Sequence, residues 1–80
     1  MKLEKDKLYR IEWLDHASEA IWQTRSEVKE WSEKNKACSS EGRFCHETKD
    51  VIVLYLDKAD DMFGCTTMIY KRNIIRIKKL

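Results

Sequence analysis

The run VIVLYL, residues 51–56, is aliphatic or aromatic at every position. Because side chains alternate between the two faces of a strand, such a run predicts a strand that is covered on both sides. We expect the interior of a small barrel to cover one face and either a helix or another chain to cover the other. The polar segment 48–50 before the run and the segment KADDMFG, residues 58–64, after it predict turns.

Four other segments have the pattern or composition of β-strands. LYRIEWL, residues 8–14, alternates so that Tyr9, Ile11 and Trp13 share one face. A hairpin is predicted between the run VIVLYL and the strand that precedes it. The remaining strand-like segments are ACSSEGRFCHE at 37–47, CTTMIY at 65–70 and IIRIKKL at 74–80, with KRN at 71–73 as a tight turn.

A helix is predicted between the first and second strands. Thr24 and Glu27 have the spacing of a capping box, in which each side chain accepts a hydrogen bond from the backbone of the other residue. Val28 and Trp31 follow three positions apart and share one helix face. The helix should begin at Thr24 and end near Asn35.

Length and composition indicate one small folded domain over residues 1–80. Of the 80 residues, 42% are hydrophobic and 38% are charged, a balance typical of globular domains. The apolar runs are far shorter than the roughly 20 residues of a membrane span, and the first ten residues lack the apolar stretch of a signal peptide. The three cysteines leave one unpaired if two form a bridge. We therefore expect reduced thiols, a cytoplasmic location and no membrane association.

The order of the predicted elements favours a mainly β fold. The first strand is followed by a long excursion that contains the helix, and four strands then follow in close succession. Curling five antiparallel strands around one core removes most of the exposed sheet edges. The sequence therefore predicts a five-stranded antiparallel small barrel with one helix inserted between strands one and two.

The C-terminal segment MIYKRNIIRIKKL, residues 68–80, resembles the end of an SH3-like barrel, in which a strand, one tight helical turn and a short last strand close the sheet. The W-x-D of Trp13 and Asp15 and the later Trp22 resemble short bacteriophage or prophage proteins with SH3-like or Sm-like barrels. The C-x-S-x-G of Cys38, Ser40 and Gly42 adds to this resemblance. It implies an SH3-like barrel in a phage or mobile-element accessory protein, located in the host cytoplasm, that modulates a host or phage protein. The peptide groove of signalling SH3 domains has no counterpart here.

The stretch ACSSEGRFCHET, residues 37–48, holds two cysteines, a histidine and two glutamates, which raises the question of a metal site. On a strand, Cys38 and His46 lie on one face and Cys45 on the other. Cys45 and His46 could bind one metal only through a bulge, and a closed zinc site needs two further ligands, for which Cys65 is one candidate. The small residues Cys38, Ser40 and Gly42 are typical of the inner face of a tightly curved barrel strand. We therefore predict a structural strand, with no metal and no cofactor.

No catalytic arrangement is evident in the sequence. With two glycines in the chain, a glycine-rich phosphate loop is excluded. Asp15 and His16 are the nearest approach to a base with an orienting acid, but sequence neighbours seldom form such a pair, and a turn with an exposed histidine is favoured. Asp60 and Asp61 also predict a turn. We expect that the protein is not an enzyme.

Nucleic-acid binding is the alternative function, because the last ten residues include five basic residues and no acidic one. Arg76 and Lys78 alternate with Ile75 and Ile77, however, and that pattern favours a solvated outer face. The candidate phosphate contacts are Lys71, Arg72, Arg76, Lys78 and Lys79.

Protein binding is the preferred function, through two tryptophans of the excursion, Trp22 and Trp31. Tryptophan is enriched in interface hot spots, and a small domain can bury only some of its tryptophans. Core packing is favoured for Trp31 because of its spacing from Val28, whereas no periodicity assigns Trp22 to either side. Self-association into a homo-oligomer would also cover the outer apolar face of residues 51–56.

Overall fold

The computed structural model describes residues 2–15, 21–34 and 37–80. Within these ranges the protein is mainly β, with one α-helix and one 3₁₀ turn. The elements in chain order are β1 (Leu8–Leu14), α1 (Arg25–Glu33), β2 (Ala37–Glu47), β3 (Val51–Tyr55), β4 (Asp57–Ala59), β5 (Met62–Gly64), β6 (Thr67–Tyr70), the 3₁₀ turn (Lys71–Asn73) and β7 (Ile74–Lys79).

Five strands form one antiparallel sheet in the order β6-β3-β2-β1-β7, so the first and last strands of the chain are neighbours. The five strands predicted from the sequence and their antiparallel pairing are confirmed. Strands β6 and β7 are the two edges of the sheet. Within the described residues they are not paired with each other, so the ladder is not closed into a ring.

Large side chains on β1 face small residues on β2. The register places Tyr9 opposite Gly42, Ile11 opposite Ser40, and Trp13 opposite Cys38. A Cβ atom added at Gly42 would lie 2.9 Å from the Cβ of Leu54, so only glycine fits against β3 there. The predicted small-residue inner face of β2 is therefore confirmed, and it makes room for the aromatic and branched residues of β1.

The core is a single cluster of apolar side chains on the inner face of the sheet. It includes Leu3, from a segment that the sequence pattern did not assign to the fold. The backbone N–H of Glu4 donates to the hydroxyl of Tyr9 over 2.8 Å, which holds this N-terminal segment against β1. The buried members are Leu3, Tyr9, Ile11, Phe44, Ile52, Leu54 and Ile69, with Trp13, Ile74 and Ile77 packed against them.

Two β-bulges change the predicted alternation. In β2 the register with β3 shifts between Phe44 and His46, which leaves Cys45 as the extra residue. His46 is therefore exposed opposite Val53, and its predicted place on the same face as Cys38 is wrong. In β7 a similar shift leaves Ile75 exposed. The prediction that the side chains of Ile75 and Ile77 share one face of the strand is therefore also wrong.

The segment after β3 is a short hairpin, β4 and β5, where the sequence indicated only a turn. Asp60 and Asp61 connect the two strands, as predicted, and Asp60 has a positive φ of 55°. Phe63 packs edge-on against Tyr55, with ring centroids 4.8 Å apart. The hairpin thus rests on the end of β3 through one aromatic pair.

Tyr55 also joins the N-terminal segment to the sheet. Its hydroxyl donates to the carboxylate of Asp6 over 2.6 Å, and Asp6 adopts a left-handed conformation with φ of 66°. The guanidinium of Arg43 donates to the carbonyl of Asp6 over 2.8 Å. The hydrogen bond from Tyr55 lowers the pKa of Asp6 and, reciprocally, raises the pKa of Tyr55.

Helix α1 begins as predicted, with Thr24 as its N-cap. The Thr24 hydroxyl accepts from the backbone N–H of Glu27, and the Glu27 carboxylate accepts from the backbone N–H of Thr24, both over 3.3 Å. Helical residues end at Glu33, with Lys34 as the C-cap, and the predicted end at Asn35 lies just outside the described residues. No residue of α1 is buried, so the prediction that Trp31 packs in the core is wrong.

Candidate functional site

The largest exposed aromatic side chains lie in and just before helix α1. Trp22 is 100% exposed and Trp31 is 36% exposed. Ile21 and Val28 are also exposed, and Val28 shares a helix face with Trp31. These four residues, Ile21, Trp22, Val28 and Trp31, are called the aromatic arm below. The structure thus places both predicted protein-binding tryptophans where a partner could contact them.

Charged residues and two serines occupy the rest of the helix surface. Lys29 and Glu33 form an i,i+4 ion pair at 4.0 Å, and Glu27 lies in the first turn. Such pairs and the capping box stabilise a helix only modestly, by about 0.3–1 kcal/mol each. The helix therefore presents an apolar face beside a polar one, as helices that bind in a groove do.

The five basic residues predicted to contact nucleic acid do not share one surface. Arg76 and Lys78 alternate along β7 with Ile77 and lie on the outer face, while Lys71 and Arg72 belong to the 3₁₀ turn. Lys79 directly follows Lys78, so its side chain points to the opposite face of β7. The charges are therefore divided among three places.

Three of these five basic residues form ion pairs with acidic side chains of the same chain. Arg76 donates to both carboxylate oxygens of Glu12, at 2.8 Å and 2.9 Å, and this pairing raises the pKa of Arg76. Lys79 lies 2.6 Å from Glu4, raising the pKa of the lysine and lowering that of the glutamate. Lys71 lies 3.3 Å from Glu47. Phosphate contacts by these three would have to compete with carboxylates that are already in place.

One cavity of about 260 Å³ lies over the outer face of β1 and β7. Arg10, Arg76 and Lys78 line it together with Glu12. Arg10 is also paired, with Glu41 at 2.7 Å. The cavity is therefore bordered by mixed charge, and basic residues from two strands, β1 and β7, meet there.

The proposed metal ligands do not come together. Cys38 and Cys45 are half-buried at separate positions of β2, and Cys65 is exposed beyond β5. All three are free thiols. Within residues 2–15, 21–34 and 37–80, no three His, Cys, Asp or Glu side chains are arranged to hold a metal ion.

Cys65 is the most accessible thiol among these, but its surroundings disfavour the thiolate. Its side chain hydrogen-bonds to the carboxylate of Asp57, which raises the pKa of the thiol. A nucleophilic cysteine needs the opposite environment, with a positive charge or a helix N-terminus nearby. The turn with an exposed histidine that was predicted at Asp15 and His16 stays a prediction, because His16 lies outside the described residues.

A second exposed apolar group was missed by sequence reasoning. Leu56, Met62 and Phe63 are exposed at and beside the β4–β5 hairpin, and Lys58 lies over the Phe63 ring at 5.4 Å from its centroid. The alternation within MFG is too short to indicate a strand. The one available signal was Met62 and Phe63 standing next to two aspartates, where a plain turn would be polar.

Comparison of the chain with protein-family models, with curated proteins and with solved structures finds no match in any of the three. Of the helices in the described ranges, none combines the length and the apolar character that crossing a bilayer requires. The exposed surfaces of the molecule are therefore the basis for assigning a function.

Proposed function

We propose that this chain is a non-enzymatic binding module that contacts a protein partner through the aromatic arm. The observation that carries the proposal is Trp22, which is 100% exposed two residues before the N-cap of a helix that buries no residue. An exposed indole leaves a large apolar area in contact with water, and burying it against a partner is favourable at about 25 cal/mol per Å².

The helix itself supports the same proposal. Trp31 and Val28 share one face of α1, and neither belongs to the core cluster of the sheet. Anchors three or four positions apart on an amphipathic helix are the contacts used when a helix binds in the groove of another protein. Trp22 and Trp31 would be the main anchors, with Val28 and Ile21 beside them.

We further propose that the sheet is an SH3-like small barrel. The supporting features are the adjacency of β1 and β7 and the 3₁₀ turn that leads from β6 into β7. The proposal that the chain is a phage or mobile-element accessory protein, acting in the host cytoplasm on a host or phage protein, is supported by the sequence resemblance described above. Its mechanism would be occlusion or assembly, without a chemical step.

Nucleic-acid binding stays as the alternative. One observation favours it, namely the meeting of Arg10, Arg76 and Lys78 around one cavity. The ion pairs of Arg10 and Arg76 with glutamates count against it, because those charges are already balanced within the chain.

The experiment is an affinity pull-down of the tagged protein from a bacterial lysate, repeated after nuclease treatment and at high salt. The variants are Trp22→Ala and Met62→Ala, which removes another exposed apolar side chain on the β4–β5 hairpin. We expect a specific protein that survives both treatments, is lost with Trp22→Ala and is retained with Met62→Ala.

Two results would contradict the proposal. Equal loss with both variants would mean that the capture reflects general stickiness of exposed apolar residues. Recovery that disappears after nuclease treatment or at high salt, and that falls with Lys78→Gln, would favour the nucleic-acid alternative, since phosphate contacts are strongly salt-dependent.

A further inference from the structure

Among the residues that the structure describes, no strand pairs with the outer edge of strand β6. The backbone N–H of Lys71 donates to the carbonyl of Asp50 over 2.8 Å, toward the β3 side. In an antiparallel strand, alternate residues direct their N–H and C=O groups to the same side. The backbone N–H and C=O groups of Ile69 therefore point toward β3. Those of Met68 and Tyr70 point to the opposite side, where no strand is paired within the described residues.

This edge also lacks the charges that usually protect one. Residues 65–70, CTTMIY, contain no charged side chain, whereas the other edge strand, β7, carries Arg76, Lys78 and Lys79. Lysine and arginine on an edge strand oppose the addition of a further strand, because pairing would desolvate the charges or bring like charges together. Of the two edges of the sheet, only β7 is protected in this way.

Apolar side chains flank the same edge. Met68 is 58% exposed and Tyr70 is 44% exposed, and both lie on the outer face of the sheet. Their register partners on β3, Val53 and Val51, are only half-buried. The outer face of β3, which the sequence predicted to need a cover, therefore continues to the edge of the sheet as an apolar surface.

We propose that two copies of this chain associate by antiparallel pairing of their β6 strands, with the two-fold axis at Ile69. In this register Met68 of one copy forms a hydrogen-bonded pair with Tyr70 of the other, and the reverse pair follows from the symmetry. The outward-directed N–H and C=O groups of Met68 and Tyr70 then form hydrogen bonds between the two copies. Each methionine sulfur also meets an aromatic ring on the outer face, a favourable contact.

The charges near β6 allow this register. Arg72, whose guanidinium lies 5.2 Å from the centroid of the Tyr70 ring, belongs to the 3₁₀ turn beyond the end of β6. No like charges oppose each other along the paired residues Thr67–Tyr70. A second β6 strand is thus compatible with the charges at this edge.

The test is sedimentation velocity over a wide range of protein concentration, with two charge variants. Met68→Lys places a lysine at the β6 edge, and Ile75→Lys places one at an exposed position of the β7 edge. Both sites are exposed, so both variants should fold, which circular dichroism checks. We expect a concentration-dependent dimer in the wild type and in Ile75→Lys, and a dissociation constant at least about tenfold higher in Met68→Lys.

A second measurement locates the interface independently of any variant. Amide hydrogen exchange at Met68 and Tyr70 should slow as the protein concentration rises, because these N–H groups donate only in the dimer. Trp22→Ala should leave both the dimer and this protection unchanged, which separates the proposal from the function of the aromatic arm. A monomer at every concentration, a dimer that Met68→Lys leaves intact, or a dimer without protection at Met68 and Tyr70 would overturn it.

Discussion

Helix α1 and strand β1 have equally clear periodic patterns, but only the pattern of the strand leads to burial. Tyr9 and Ile11 of β1 are 1% and 0% exposed, whereas Val28 and Trp31 of α1 are 44% and 36% exposed. The face of β1 meets the small residues of β2 and the core beyond them, while α1 buries none of its residues. A periodic pattern states which side chains share a face, and the rest of the chain decides whether that face is covered.

The difference implies a division of roles within the chain. The sheet supplies the core and hence the stability, so substitutions there should lower the free energy of unfolding. The aromatic arm contributes little to the core, so substitutions there should change binding and leave unfolding nearly unaffected. The predictions below test this division, in order of decreasing effect on stability.

The largest effect is expected for Ile11→Ala. Ile11 is 0% exposed at the centre of the core cluster, and removing a fully buried isoleucine costs about 2–5 kcal/mol. That loss is a large part of the about 5–15 kcal/mol by which small domains are stable. Urea denaturation followed by circular dichroism measures it. Ile75→Ala, at an exposed position of the same sheet, should cost less than about 1 kcal/mol. Equal costs would mean that the core is wrongly placed.

The second-largest loss of stability is expected for Gly42→Ala. An ordinary replacement of glycine by alanine in a strand would stabilise the protein slightly, whereas this one should destabilise it. The added Cβ would lie 2.9 Å from the Cβ of Leu54 and 3.1 Å from the carbonyl oxygen of Tyr55, so β2 and β3 would have to move apart. We expect a loss of about 1–3 kcal/mol.

The matched control for Gly42→Ala is Gly64→Ala. Its Cβ would lie 3.4 Å from the Cβ of Asp57, which is ordinary contact, and neither glycine has a positive φ. Gly64→Ala should remain within about 1 kcal/mol of the wild type or stabilise slightly, because alanine restricts the unfolded chain. If both variants lose the same stability, the steric explanation for Gly42 is wrong.

Acid should weaken the junction between the N-terminal segment and the sheet. The hydrogen bond from Tyr55 lowers the pKa of Asp6 below its ordinary value, so its stabilising effect is present above that ordinary value and is lost as pH falls through the lowered pKa of the folded state. Tyr55→Phe should therefore reduce the dependence of unfolding free energy on pH in the acidic range.

Part of the acid dependence should persist in Tyr55→Phe, because the pKa of Glu4 is also lowered, by its hydrogen bond with Lys79. Tyr70→Phe, which removes a hydroxyl from the exposed end of β6, serves as the control and should keep the wild-type slope. Urea titrations at a series of pH values compare the three proteins. Identical slopes in all of them would show that the bond between Asp6 and Tyr55 does not contribute.

The smallest effect on stability is expected for Trp22→Ala. Its side chain is 100% exposed, so the free energy of unfolding should stay within about 0.5 kcal/mol of the wild type. Trp13→Ala is the matched substitution within the sheet. Trp13 packs against the core and its indole N–H donates to Ser40 over 3.0 Å, so about 1 kcal/mol or more should be lost. Similar losses for both tryptophans would contradict the division between sheet and arm.

The strands were predictable because each carries its own evidence. The alternation in LYRIEWL and the apolar run VIVLYL state which residues share a face, and period two is a property of the backbone alone. The N-terminus of the helix was predictable for the same reason, since a capping box involves residues three apart. The small residues on β2 were likewise recognised as an inner face, although their fit against Tyr9 and Ile11 depends on a register between strands.

Two of the errors, the faces predicted for His46 and Ile75, have one physical cause. A bulge inserts one residue where two strands must stay in register, and the sequence of one strand does not indicate where its partner needs that residue. His46 and Ile75 therefore lie on the faces opposite to those predicted. The hairpin of β4 and β5 was missed because three-residue strands are too short for any periodic signal, and Leu3 was missed because a single apolar residue has none.

For the candidate sites, the sequence identified residues by type, and tertiary structure decided their surroundings. Trp22 and Trp31 were recognisable as potential anchors, but only the fold shows that neither belongs to the core cluster. The five C-terminal basic residues were recognisable as a charged segment, but Glu4, Glu12 and Glu47 come from distant positions to pair with three of them. Ion pairing over such separations depends on which strands become neighbours.

The amino-acid sequence by itself thus determined the mainly β class, the positions of the five sheet strands and the start of the helix, because these follow from interactions within a few residues. Only the tertiary structure decided the strand order, the bulges, the lack of burial of α1 and the contrast between a charged β7 edge and an uncharged β6 edge. Each of those features depends on contacts between segments far apart in the chain, and such contacts follow from the packing of the whole core.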